Sequence, residues 1–241
     1  VQVRAIFILA RSADSPSEAS PEASGQAFSA LKQAAAQRGL PLLSRSRSEL
    51  DRLCRGGVHQ GVLALCGAYR YADGVSALLE NAAQSGAAPL LLVLDGITDP
   101  QNLGALTRSA FVLGGHGMVV PKDRAAAVTP AAVKAAAGAT ELLPIALVPN
   151  LVRAMHELKD RGVWLIAAVA PGQGGVPPWE LDLTQPSALC LGSEGQGLRP
   201  LVRKTCELRV EIPMLGGLRG ASLNVAAAGA ALLYEALRQR H

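Results

Sequence analysis

From Pro89 onward the chain repeats one pattern: a short uninterrupted apolar run, a polar or glycine-rich turn, then a segment whose apolar residues recur at helical spacing. The spacing predicts strands at 90–94, 117–120, 163–169 and 187–191, and helices at 103–113, 129–137, 149–160 and 222–238. Apolar runs without polar alternation belong to strands buried on both faces, and strands separated by helices pair in parallel through crossovers. The fold class that follows is α/β, a parallel sheet covered on both sides. Ligands on such sheets sit outside the strand C-termini. Two polar segments fall there: residues 95–102 (Asp-Gly-Ile-Thr-Asp-Pro-Gln-Asn) and residues 192–197 (Gly-Ser-Glu-Gly-Gln-Gly).

The first part of the chain reads as a smaller α/β module. Residues 1–10 are expected as a buried strand, 13–25 as a mobile loop on composition, 26–38 as a helix and 40–43 as a short strand. Ser46 or Ser48 caps a second helix that runs through Leu53, and 61–68 forms a third strand. The expected domains are 1–68, a small substrate-binding module that is incomplete at its N-terminus, and 89–241, the main sheet. A linker with a bridging helix at 75–84 joins them over 69–88. Arg45, Arg47, Arg52 and Arg55 form a loose basic group, for which a solvated face and an RNA contact both remain open. His59 and Gln60 lie in the polar turn that follows, where a histidine is more often a turn residue than a catalyst.

Composition narrows the chemistry. The net charge is +4 with 3% aromatic residues, so an anionic partner fits but a base-stacking platform does not. No apolar segment approaches the roughly 20 residues that cross a bilayer. Cys54, Cys66, Cys190 and Cys206 have neither close pairing nor histidines at ligand spacing, so neither a metal site nor a disulfide framework is expected. The chain begins at Val1 rather than methionine, which suggests a processed or trimmed form.

Three blocks carry chemistry. In the first, Asn102 can cap a helix, while Gly104 and Arg108 are four residues apart and share a face. Helical side chains lean toward the N-terminus, so Arg108 is expected to lie over the bare Gly104 and aim its guanidinium at the strand-end crevice. The second block, Leu191-Gly192-Ser193-Glu194-Gly195-Gln196-Gly197-Leu198, matches neither the dinucleotide fingerprint nor the Gly-Lys-Ser/Thr phosphate loop. Its glycines leave amides and carbonyls open to an adenine edge. Ile212-Pro213-Met214 and Leu223 can flank that base, and Ser222 and Asn224 open the last helix.

These blocks, Asn102-x-Gly104-x-x-x-Arg108, the Gly192 loop, and Ile212-Pro213-Met214 with Ser222-Leu223-Asn224-Val225, resemble in identity and order the three motifs of the SpoU (TrmH) family of RNA ribose 2′-O-methyltransferases. The resemblance covers 89–241, and the first 68 residues are similar to that family's substrate-binding domain. It implies a deep C-terminal trefoil knot, S-adenosylmethionine as cofactor, no metal, a homodimer and large-subunit rRNA as partner. Within the family the chain is most similar to the mitochondrial enzymes that methylate a large-subunit guanosine, which implies the mitochondrial matrix, with a bacterial cytoplasm as the alternative. By carry-over, Leu191, Gly192, Ile212, Met214 and Leu223 would contact the cofactor. Asn102, Arg108, Glu194, Ser222 and Asn224 would form the catalytic surface, and His59, Gln60 and Arg108 would meet RNA. A guanidinium does not normally release its proton, so Arg108 is read as stabilising charge, and Glu194 as orienting Asn102 or the ribose, with a general-base role as its competitor. The segment 215–221 is longer than the family pattern, and alanines follow Val225. A tRNA substrate and a non-catalytic assembly factor are the alternatives.

Overall fold

The computed structural model describes residues 2–10, 21–55, 57–215 and 222–241. The chain separates into two compact units, Val1–Arg70 and Tyr71–His241.

The first unit is a three-stranded sheet in the order β2-β1-β3, built from β1 (Val3–Leu9), β2 (Leu42–Arg45) and β3 (Val62–Cys66). β2 runs parallel to β1, and β3 runs antiparallel to it. Helix α1 (Pro21–Gln37) buries Ala35 against Ile6 and Ile8, with Phe28, Leu31, Leu40 and Leu42 around them. The helix begins at Pro21, five residues before the expected start, so the expected 13–25 loop is helical over 21–25. Proline is well suited to a first helical turn because its missing N–H has no partner there anyway. The remainder of that expected loop, through residue 20, lies outside the described residues. Helix α2 (Arg47–Cys54) is capped by Ser46, not Ser48. The Ser46 hydroxyl accepts from the Glu49 N–H and the Glu49 carboxylate accepts from the Ser46 N–H, a complete capping box. His59 is committed to the α2–β3 turn. Its Nδ1 accepts the Gly61 N–H at 3.0 Å, so Nε2 carries the proton and donates to Asp51 Oδ1 at 3.0 Å. Gln60, beside it, is exposed at φ +47°.

In the second unit six strands, all parallel, are ordered β6-β5-β4-β8-β7-β9. They are β4 (Leu90–Asp95), β5 (Gly117–Pro121), β6 (Ile145–Val148), β7 (Trp164–Val169), β8 (Ser187–Gly192) and β9 (Leu208–Glu211). One layer holds α4 (Pro100–Val112), α5 (Pro130–Ala136) and α8 (Val225–Arg240). The other holds α3 (Gly74–Ser85), α6 (Leu151–Asp160) and α7 (Pro200–Thr205). Every residue of β4 is buried, as its unbroken apolar run requires. The helix expected to bridge the two modules, α3, belongs to this unit: Val75 and Leu78 enter its main core with Leu91, Val93 and Met155. The spacing did not predict β6, β9 or α7. The strands have four residues each and α7 has six, too short for a periodic signal.

Two helix starts differ from expectation, and both matter to the site. α4 is capped by Asp99, whose Oδ1 accepts the Gln101 N–H at 2.9 Å, with Pro100 in the first turn, so Asn102 is not the cap. α8 starts at Val225 because the Asn224 Oδ1 accepts the N–H groups of Ala226 and Ala227, leaving Ser222 and Leu223 outside the helix. Gly104 is not bare either. A Cβ there would overlap the Ala132 carbonyl oxygen and stand 2.6 Å from the Ala135 Cβ, so the glycine exists to bring α4 against α5.

At the N-terminal ends of the strands, the end opposite the site, buried His116 accepts the Leu90 N–H at Nδ1 and meets Ser85 Oγ through Nε2 at 2.9 Å. Arg240 closes the same end of the sheet, donating to the carbonyls of Ala88, Pro89, Leu183 and Gln185. Burial, and secondarily the Arg240 charge, pushes the His116 imidazole below its ordinary value. The unfolded chain, with a histidine pKa of about 6.5, therefore binds the proton first. Stability contributed by neutral His116 is complete above that pH and lost as pH falls below it. Thermal midpoints of wild type and His116→Gln at pH 7.5 and 5.5 test this: wild type should lose more on acidification, and equal losses would refute it.

Candidate active site

Parallel pairing of β4 with β8 sets Asp95 directly opposite Gly192, which brings the two polar strand-end segments side by side although 97 positions separate them. Buried Asp95 anchors the junction. Its Oδ1 accepts from Arg199 Nε at 2.6 Å and its Oδ2 accepts the Arg199 N–H at 2.8 Å. Between these anchors the chain makes a tight loop, with Ser193 and Gly197 exchanging both backbone hydrogen bonds and Gly197 at φ +66°. Gly192 lies where this loop folds back on itself: a Cβ on it would overlap the Gly197 carbonyl group and the Leu198 nitrogen.

Glu194 stands at the tip of that loop and gathers groups from two helices. Its Oε1 accepts from Asn102 Nδ2 at 3.1 Å, from Asn224 Nδ2 at 2.5 Å and from the Val225 N–H at 3.5 Å. Asn224 Nδ2 also donates to Asn102 Oδ1 at 2.9 Å. Asn224 thus uses its oxygen to start α8 and its amide nitrogen to build the site. The α8 N-terminus, which carries partial positive charge, faces the carboxylate and stabilises it. Next to the cluster opens a cavity of about 560 Å³, whose wall includes Leu191, Gly192, Ile212, Met214, Ser222 and Leu223. Apolar side chains with the glycine backbone of 192–197 between them suit a flat heterocycle, so the residues present fit an adenosyl cofactor. On β8, Cys190 is fully buried. Its contact with the Cys206 thiol, followed by burial, pushes its thiol well up, so it is a neutral hydrophobe and not a nucleophile.

Of the residues expected here, the structure brings together Asn102, Glu194 and Asn224 by direct hydrogen bonds, and Leu191, Gly192, Ile212, Met214, Ser222 and Leu223 around the cavity. It does not bring Arg108 to them. Six residues beyond Asn102, Arg108 lies about 9 Å further along α4 and is rotated to another face. It is exposed and without a partner among the described residues. The segment 216–221, most of the long loop between Met214 and Ser222, lies outside the described residues. Sequence reasoning missed Asp95 and Arg199 as supports of the site, although a carboxylate ending an otherwise apolar buried run was a signal for them. Among the described residues no group of metal-binding side chains occurs, and no helix is long and apolar enough to cross a membrane.

A cavity at the strand ends of a parallel sheet is where α/β enzymes hold nucleotide-like cofactors. Residues 89–234 match the SpoU rRNA Methylase family, and residues 19–72 match the RNA 2′-O ribose methyltransferase substrate binding family. The chain belongs to the SpoU rRNA methylase family and is a methyltransferase. Among its relatives, the 23S rRNA (guanosine-2′-O-)-methyltransferase RlmB of Pseudomonas syringae is 43% identical over 80% of this chain and 75% of its own. That of Bordetella pertussis is 44% identical over 79% and 75%. The SpoU methyltransferase AviRb from Streptomyces viridochromogenes, solved in complex with the cofactor AdoMet, is 27% identical with a TM-score of 0.73, covering 99% of this chain and 83% of its own.

Proposed function

We propose that this chain transfers a methyl group from S-adenosylmethionine to the ribose 2′-oxygen of a guanosine in large-subunit rRNA. The observation that carries the reading is the Asn102–Glu194–Asn224 cluster beside a glycine-walled cavity. The names of the RlmB relatives support the substrate, and the AdoMet complex of AviRb supports the cofactor. These relatives are bacterial, which favours a bacterial cytoplasm over the mitochondrial matrix. The substrate-binding match over 19–72 supports RNA capture by the first unit, where Gln60 and the arginines of 45–55 are exposed or half-buried.

When bound, the cofactor would supply an electrophilic methyl on a sulfonium. The chain's task is to orient the 2′-hydroxyl and stabilise charge on its oxygen. Asn102 and Asn224 have their amides fixed by Glu194, so the ribose meets groups that need no rearrangement. Arg108, without a partner among the described residues, is suited to reach a site on a second copy. Phe111 and Val112 beside it on α4 and Tyr234 on α8 are exposed, and α8 has no polar side chain from Val225 to Leu233, a stretch that is normally covered. We therefore read the enzyme as a homodimer in which Arg108 of one subunit serves the other subunit's substrate phosphate and developing negative charge. The C-terminal trefoil knot is proposed on membership of the family alone.

The test is transfer of labelled methyl to large-subunit rRNA, with the modified nucleotide mapped by ribose-methylation-sensitive cleavage. A single guanosine 2′-oxygen should be labelled, and Arg108→Ala should lower turnover about a hundredfold with cofactor affinity unchanged. In a mixture of Arg108→Ala and Glu194→Ala chains, subunit exchange should restore roughly a quarter of the sites if Arg108 acts across the dimer. Label on tRNA alone, or none, would overturn the rRNA reading.

A further inference from the structure

A second cavity, of about 280 Å³, opens on the other side of the Ser193–Gly197 loop and shares the walls Ser193, Gln196, Gly197 and Leu198 with the first. Its remaining lining includes Thr98, Asp123 and Arg124. The turn bearing these last two is held rigidly: Lys122 donates its N–H to the Val148 carbonyl, and Ala126 donates to the Ile97 carbonyl at 2.7 Å. Arg124 sits at φ +57°, a left-handed conformation that costs a residue with a Cβ free energy and that recurs at ligand clamps. Asp123 and Arg124 are both exposed and have no partner among the described residues. Arg199, by contrast, is tied to Asp95.

We infer that this cavity receives the guanine base of the nucleotide being methylated, and that Asp123 selects it, an inference that rests on the proposed function. A nucleoside whose ribose lies at Glu194 can lay its base across the loop that separates the two cavities. A carboxylate accepts together from the N1–H and the 2-amino group of guanine, whereas adenine offers an acceptor at N1 and is repelled. A neighbouring guanidinium matches guanine O6 and N7, the acceptors of its other edge. Unpaired RNA bases are read along these edges when splayed from the chain. Asp123 and Arg124 supply one group for each edge, and Gln196 an amide between the cavities.

The experiment compares wild type and Asp123→Asn on RNA carrying the mapped guanosine and on the same RNA with inosine, which lacks the 2-amino group, at that position. Asparagine keeps the shape but sets an N–H against N1–H. Turnover on guanosine should fall about ten- to hundredfold, and the preference for guanosine over inosine should collapse toward one, with S-adenosylmethionine affinity unchanged. Equal losses on both RNAs would overturn the inference. So would a loss in Arg124→Ala that is uniform across bases and weakens the salt dependence, which marks a phosphate contact. Binding of guanosine and inosine 5′-monophosphates, followed by saturation-transfer NMR, makes the same comparison without turnover. An inactive wild type that still favours the guanosine nucleotide through Asp123 would refute the methyltransferase reading and leave this one standing, whereas equal binding of both by wild type would refute it.

Discussion

Gly192→Ala is expected to destroy the cofactor site and to cost about 3 kcal/mol or more of folding stability. The new methyl would overlap the Gly197 carbonyl group and the Leu198 backbone nitrogen, which are main-chain atoms and cannot turn aside as a side-chain tip could. Relief requires opening the Ser193–Gly197 loop. That loop is closed by two backbone hydrogen bonds and held from below by the Asp95–Arg199 pair, so its opening would displace Glu194 as well as the cavity wall. Urea unfolding and titration with S-adenosylmethionine measure both consequences. Gly195→Ala is the control. A Cβ there has no atom within 4 Å, and its stability should stay within about 0.5 kcal/mol of wild type. A Gly192→Ala protein that unfolds and binds like wild type would refute the close approach of Gly192 to the Gly197 and Leu198 backbone.

The second large effect concerns Glu194. Its carboxylate is the common acceptor for Asn102, Asn224 and the first N–H of α8, so Glu194→Ala should lower turnover about a thousandfold while leaving cofactor affinity within a few-fold. The residue is exposed, so global stability should change little. Glu194→Gln separates the two roles open to it. Glutamine retains an oxygen to accept the amides but cannot take a proton at neutral pH. We expect it to keep turnover within about tenfold of wild type with an unchanged pH profile, as a positioning residue would. A Gln variant as inactive as the Ala variant would make the carboxylate the proton acceptor instead.

How far the chain could be read before folding depended on the length over which each signal acts. The central strands β4, β5, β7 and β8 are continuous apolar runs and were legible. The four-residue edge strands β6 and β9 were not, because edge pairing asks little of four side chains. Cap chemistry was local yet ambiguous. Asp99-Pro100 and Asn102 both qualify to open α4, and only the folded helix decides: Asp99 Oδ1 accepts the Gln101 N–H, while Asn102 is engaged by Glu194. Gly104 read as a bare spot beneath Arg108 because its neighbour α5 is remote in sequence and cannot be seen from spacing. His59 could be suspected as a turn residue, but its two partners, Asp51 and Gly61, require the folded turn.

By itself the sequence determined which groups are available: a parallel α/β sheet, polar segments at its strand ends, and the asparagines, glutamate and glycines of three motifs in order. Tertiary structure alone decided which of them meet. β8 inserts beside β4 rather than at the sheet edge, so Gly192 registers against Asp95, and residues 102, 194 and 224 converge. Arg108, on the same helix as Asn102, is left outside. The physical reason is that periodicity reports which face of an element is buried, whereas the order of strands in a sheet is set by packing between elements distant in the chain, and no local spacing encodes it.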